Sequence, residues 1–132
     1  MDTAAANAER LTQFLLDEVG DQLRSVIYHR GRDHDVTYVR DDVAARYTDE
    51  EVAQVVEDLV FDTLDKHHQE GMYVHGDLVC NVRCFEEAVE IHLVLDEHRG
   101  IAISLEPTVL LEHQSFVGRC MEAVGVDEVV AA

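Results

Sequence analysis

Histidine and cysteine are where chemistry would begin in this sequence, and their spacing decides which chemistry is open to them. Eight histidines and three cysteines occur in 132 residues. Cys80 and Cys84 stand as C-x3-C, and paired thiolates bind zinc at about 2.3 Å. The residues around them alternate, with Leu78, Val82 and both cysteines on one side and Asn81 and Arg83 on the other, which is the period of a strand. Along a strand that offset spans about 13 Å, too far for two ligands of one ion, so both cysteines read as small buried hydrophobes. His113 and Cys120 fall on one side of a predicted helix but two turns apart, about 10.5 Å. A nucleophile and its base need contact at about 2.6 to 3.2 Å, so Cys120 is expected in the core and His113 at its edge.

His67 and His68 close a predicted helix just before the strand that carries His75. A helix C-terminus favours cationic side chains, so capping is the plain reading. The alternative is a weak zinc or nickel site on His67 and His68, which would need ligands converging at about 2.0 to 2.1 Å. Asp33-His34-Asp35 and Asp41-Asp42 lack the patterned loop of oxygens that calcium takes and read as solvated turns. No phosphate-cradling glycine loop, dinucleotide fingerprint, serine elbow or zinc-protease helix motif occurs. No catalytic residue is nominated, no cofactor is expected, and the chain is not expected to be an enzyme. One candidate surface remains. Tyr73, His75, Asn81, Arg83 and His92, on the outward face of the central hairpin, mix aromatic, polar and charged groups as a small-molecule or partner site does, provided no helix covers them.

The elements that must position these residues follow from periodicity. Ala8, Leu11, Phe14, Leu15 and Val19 give a first helix over 5–18 that Gly20 stops. Leu23 to His29 and Val36 to Arg40 form a hairpin across a polar, glycine-containing turn. Thr48 and Glu51 make a capping box for a second helix, with Val52, Val55, Val56, Leu59, Val60 and Leu64 on one face and an end near Gly71. A strand begins at Met72 and runs through Cys84. The next places Val89, Ile91, Leu93 and Leu95 inward and Glu90 and His92 outward. Pairing Cys84 with Val89, Val82 with Ile91, Cys80 with Leu93, Arg83 with Glu90 and Asn81 with His92 satisfies both faces at once. Ile101, Ile103 and Leu105 form a fifth strand, entered through an odd-length loop with Gly100 in a left-handed bulge. Pro107 opens a last helix presenting Leu110, His113, Phe116, Val117, Cys120 and Val124. The fold class is therefore α+β, a five-stranded antiparallel sheet with three helices in the order αββαβββα. Residues 1–132 are expected to form a single domain, with an ordered core over about 5–124 and a flexible tail over 125–132.

Charge sets the environment. Twenty-eight acidic residues oppose 10 basic ones, a net charge of -18 at pH 7. Such a surface repels itself where the Debye length is about 8 Å and is largely screened at molar salt, where it is about 3 Å. Lys66 is the only lysine, and few lysine stems among many short carboxylates is how halophilic archaeal proteins look. The same charge excludes direct nucleic-acid binding, which draws on Lys and Arg against phosphate. The N-terminus has no basic region ahead of an apolar run, and no stretch reaches the roughly 18 apolar residues of a membrane span, so no membrane partner and a cytoplasmic location with reduced thiols are expected.

The element order over residues 5–124 resembles the roadblock / dynein light chain domain, whose members are small dimeric scaffolds and regulators of GTPases. The stretches L-R-S-V-I-Y, Y-V-R-D-D-V-A, H-Q-E-G-M-Y-V-H-G-D-L, C-N-V-R-C-F-E and F-V-G-R-C look like a family of short haloarchaeal proteins of uncharacterised activity. The resemblance implies a non-enzymatic regulatory or scaffolding domain that acts through contacts with a protein partner, as a homodimer joined by strand edges or helix faces. The alternative function is a small-molecule or metal sensor using the outward face of the central hairpin.

Overall fold

In the computed structural model the described residues are 3–111 and 115–125. The chain runs α1 (Thr3–Val19), a 3-10 turn (Gly20–Gln22), β1 (Leu23–Arg30), β2 (Asp33–Val39), α2 (Asp41–Ala44), α3 (Asp49–Leu64), α4 (Lys66–Met72), β3 (Cys80–Cys84), β4 (Val89–Val94), β5 (Arg99–Leu105), α5 (Thr108–Leu111) and α6 (Phe116–Ala123). The strands form one five-stranded sheet in the order β2-β1-β5-β4-β3, and every pairing is antiparallel. This is the α+β architecture that the alternating periods predict. Among the described residues no helix is long and apolar enough to cross a membrane.

Local chemistry accounts for the element ends. Gly20 takes φ +58°, a left-handed conformation open to glycine, and α1 stops at Val19. Thr48 accepts from the Glu51 amide while the Glu51 side chain accepts from the Thr48 amide, the capping box that starts α3. The β3–β4 register is the expected one, with Cys80 opposite Leu93, Asn81 opposite His92 and Arg83 opposite Glu90. Two-sided alternation makes that register legible, because a one-residue slip would send every apolar side chain to the wrong face.

The sheet has two unlike faces. α1 covers one of them, packing Ala8, Leu15 and Leu16 over Val26, Tyr28, Ile101, Ile103 and Leu105. Leu23 and Val26 are fully buried there. On the other face α3 buries Val56, Leu59 and Thr63.

Several expectations are corrected. The strand does not begin at Met72. Helix α4 runs to Met72, the Leu78 amide is held by the Glu70 carboxylate, and Gly76 turns the chain at φ +84°, so β3 begins only at Cys80. Gly100 is not a left-handed bulge; it lies within β5. The tight turn comes from Asp96, whose carboxylate accepts from the His98 and Arg99 amides. The last helix is two pieces, α5 and α6, and Ser115 caps the second by accepting from the Gly118 amide. That break shifts the helical phase, and Cys120 is exposed instead of being in the core. Cys80 and Cys84 are exposed too, as is Val82 between them at 49%, so the described residues leave that end of the sheet open. His113 and the tail beyond Gly125 lie outside the described residues.

Candidate functional site

The face beneath α3 is built by strand parity. Cross-strand partners share a face, so Arg83, Glu90, Ser104 and Ser25 form one row, Asn81, His92, Ala102 and Ile27 a second, and Val94, Gly100 and His29 a third. α3 contributes Asp58 and Asp62, four residues apart and therefore on one side of the helix.

These groups make a single polar chain. Arg83 donates through Nη1 to Asp58 Oδ2 at 2.6 Å and through Nη2 to Asp62 Oδ1 at 2.9 Å. Asp62 Oδ2 lies 3.2 Å from His92 Nδ1, and His92 Nε2 lies 2.9 Å from His29 Nε2. With both rings neutral the protons fall in one consistent order: His92 Nδ1–H donates to the Asp62 carboxylate and His29 Nε2–H donates to His92 Nε2. His29 Nδ1 is 3.3 Å from the Gly31 carbonyl, a contact that becomes a hydrogen bond only when His29 takes a second proton. Burial lowers the pKa of both histidines, and the neighbouring ring adds to this at His29.

Stability is therefore expected to fall in acid. Unfolded, each ring takes its proton near its ordinary value of 6.5; folded, it does so at lower pH. Between those values the unfolded chain binds more protons, so stability is full above the unfolded value and declines below it, by up to about 1.4 kcal/mol per pH unit for each ring. Urea midpoints measured from neutral to mildly acidic pH read this slope, which should shrink in His29→Asn. Burial pushes the Glu90 carboxyl up, which gives a slope of opposite sign. It is common to both proteins and cancels in the comparison.

A second polar chain crosses the same face. Arg24 donates through Nε to Ser104 Oγ at 3.0 Å, and Ser104 Oγ donates to Glu90 Oε1 at 2.9 Å. Between the two chains, α3 and the sheet enclose an open-mouthed cavity of about 1020 Å³, lined by Arg24, Asn81, Arg83, Glu90, His92 and Ser104 together with apolar side chains.

Of the residues expected to form a site, Asn81, Arg83 and His92 come together on this cavity. Tyr73 and His75 do not. They stack on each other with ring centroids 5.6 Å apart, exposed on the segment before β3 and away from the cavity lining. His67 is paired through Nε2 with Glu97 and through Nδ1 with Glu70 at 3.4 Å, and the Glu97 carboxylate raises its pKa. His68 is exposed beside it on α4. Among the described residues no three His, Cys, Asp or Glu side chains are grouped to hold a metal ion.

Sequence reasoning missed His29, Arg24, Ser104, Asp58 and Asp62. The i, i+4 spacing of Asp58 and Asp62 opposite the parity-matched Arg83 was a usable signal. Arg24 carried none, because it faces the cavity through a shift of register between Leu23 and Ser25. Residues 9–125 match the model of a family described as a domain of unknown function (DUF7522). No curated protein matches the chain.

Proposed function

We propose, from the premise that the chain belongs to the DUF7522 family of domains of unknown function, that it is a non-enzymatic regulatory or scaffolding domain. It acts through protein contacts as a homodimer in the cytoplasm of a halophilic archaeon. The observation that carries this reading is the contrast between the two edges of the sheet. Edge strand β2 bears exposed Asp33, His34 and Asp35, and solvated charges of that kind deter pairing. Edge strand β3 bears only Arg83, and its guanidinium is drawn back to Asp58 and Asp62.

Hydrogen-bond parity then says which groups β3 offers. The Val79 carbonyl accepts from the Val94 amide and the Phe85 amide donates to the Ala88 carbonyl, so residues 79, 81, 83 and 85 turn their backbone toward β4. Cys80, Val82 and Cys84 therefore turn their backbone groups outward, away from β4, with their side chains exposed on the face opposite α3. A second copy completes this edge by antiparallel pairing about a two-fold axis at Val82. Cys80 then stands opposite Cys84 of the partner subunit at a Cα separation of about 5.5 Å, within the 4.4 to 6.8 Å that a disulfide spans. The net charge of -18 supports a saline setting, where association is not opposed by repulsion.

Light scattering in molar salt is expected to give twice the monomer mass, and mild oxidation to give a covalent dimer that is lost in Cys80→Ser and in Cys84→Ser. Val82→Pro removes an outward amide that β4 does not use, so it should give a folded monomer. A wild-type monomer at high concentration, or a Val82→Pro protein that stays dimeric, overturns the proposal.

A further inference from the structure

The cavity under α3 offers hydrogen-bond donors that no described residue takes up. Arg24 is only 7% exposed. It spends Nε on Ser104 and holds Nη1 3.6 Å from Glu106, whose carboxylate already accepts from Arg40 at 2.7 Å. A guanidinium has five N–H donors, so most of this one is unclaimed among the described residues. Asn81 Nδ2 is buried without a partner. Among the acceptors on the same floor, Ser104 Oγ takes Arg24, Glu90 Oε1 takes Ser104, and Asp58 and Asp62 take Arg83 and His92.

A buried donor without an acceptor, as Asn81 Nδ2 is, is costly to leave empty, and the natural complement of the Arg24 donors that Ser104 and Glu106 leave over is a carboxylate. Apolar side chains share that lining, Ile27 and Val39 from the sheet and Val52 and Leu59 from α3. The cavity, about 1020 Å³, is at the upper end of the size range for small-molecule sites. We propose that it binds a small apolar carboxylic acid, with the carboxylate on Arg24 and the hydrocarbon body between α3 and the sheet. Acidic side chains at the mouth, including Asp49, Glu51, Glu86 and Glu87, oppose entry of an anion at low salt. Their reach shrinks to about 3 Å at molar ionic strength.

Calorimetry with octanoate and its neutral analogue 1-octanol, on the full chain in molar potassium chloride, tests the proposal. Octanoate is expected to bind more tightly by about tenfold, the ratio that one charge-assisted hydrogen bond contributes. Arg24→Gln should reduce octanoate to the level of octanol. Val52→Trp, which fills the space and leaves Arg24 intact, should abolish binding of both, and this arm keeps the test decisive if Arg24→Gln fails to fold. Absence of octanoate binding, equal affinity for the two ligands, or undiminished binding in Val52→Trp would each overturn it. None of these outcomes bears on the dimer, which the β3 variants test separately.

Discussion

Gly100→Ala is expected to cost about 3 kcal/mol of stability, the sum of overpacking a closed space and breaking a buried hydrogen bond. A Cβ on Gly100 would stand 2.4 Å from His92 Nε2, 2.7 Å from His29 Nε2 and 3.0 Å from the Leu93 carbonyl oxygen. The glycine is there for room, not for an unusual backbone angle: it is the second residue of β5, and the two imidazoles meet across it. The rings have little freedom to retreat, since His29 is fully buried and His92 nearly so. Urea midpoints at neutral pH read the loss. His29→Ala in the same chain removes one of the two obstructions, so the double variant should lose less than the sum of the single variants. A Gly100→Ala protein within about 0.5 kcal/mol of wild type, the usual range for an inert surface change, would refute the close packing of the two rings.

Asp62→Ala is expected to cost about 2 to 4 kcal/mol, because it removes the acceptor of a buried donor as well as one end of an ion pair. The His92 side chain is 5% exposed and that of Asp62 15%, so His92 Nδ1–H is largely shielded from bulk water. Arg83 is 43% exposed and keeps Asp58, which limits its share of the loss. Asp62→Asn retains an acceptor and should lose about half as much. The Asp62 charge also holds the His92 pKa up against burial. Without it the folded pKa falls further, so the acid decline of Asp62→Ala should extend to lower pH than that of wild type. Urea midpoints over the same pH range check both effects, and an unchanged midpoint for Asp62→Ala would show that the carboxylate does not hold the histidine.

The parts of the site that were legible before the structure share one property: they depend on neighbours in sequence. Asn81, Arg83 and His92 lie on one face because two consecutive strands alternate strictly and pair in a register that both faces enforce. His29 joins them only through β5, a strand that arrives some seventy positions later, and periodicity within a strand says nothing about which distant strand lies beside it. Arg24 reaches the same face through a register shift, which inverts the parity that a regular strand would give. Extending the period of two back beyond Cys80 predicts Tyr73 and His75 in the site. The alternation in the residues is real, but the Glu70 carboxylate on the Leu78 amide and the φ +84° of Gly76 remove the backbone from any ladder. Cys80 and Cys84 failed for a related reason: alternation shows which residues share a side and not whether another layer covers it.

The position of β5 between β1 and β4 bears on how the chain is made. Each hairpin can close soon after it leaves the ribosome, but neither has its flanking partner until residues 99–105 have emerged, so most of the sheet's long-range pairing waits for the last strand. During that interval the edges of β1 and β4 that β5 will occupy are unpaired, and both are prone to join a neighbouring chain. Translation that halts before residue 99 should leave an aggregating fragment and no stable half-domain.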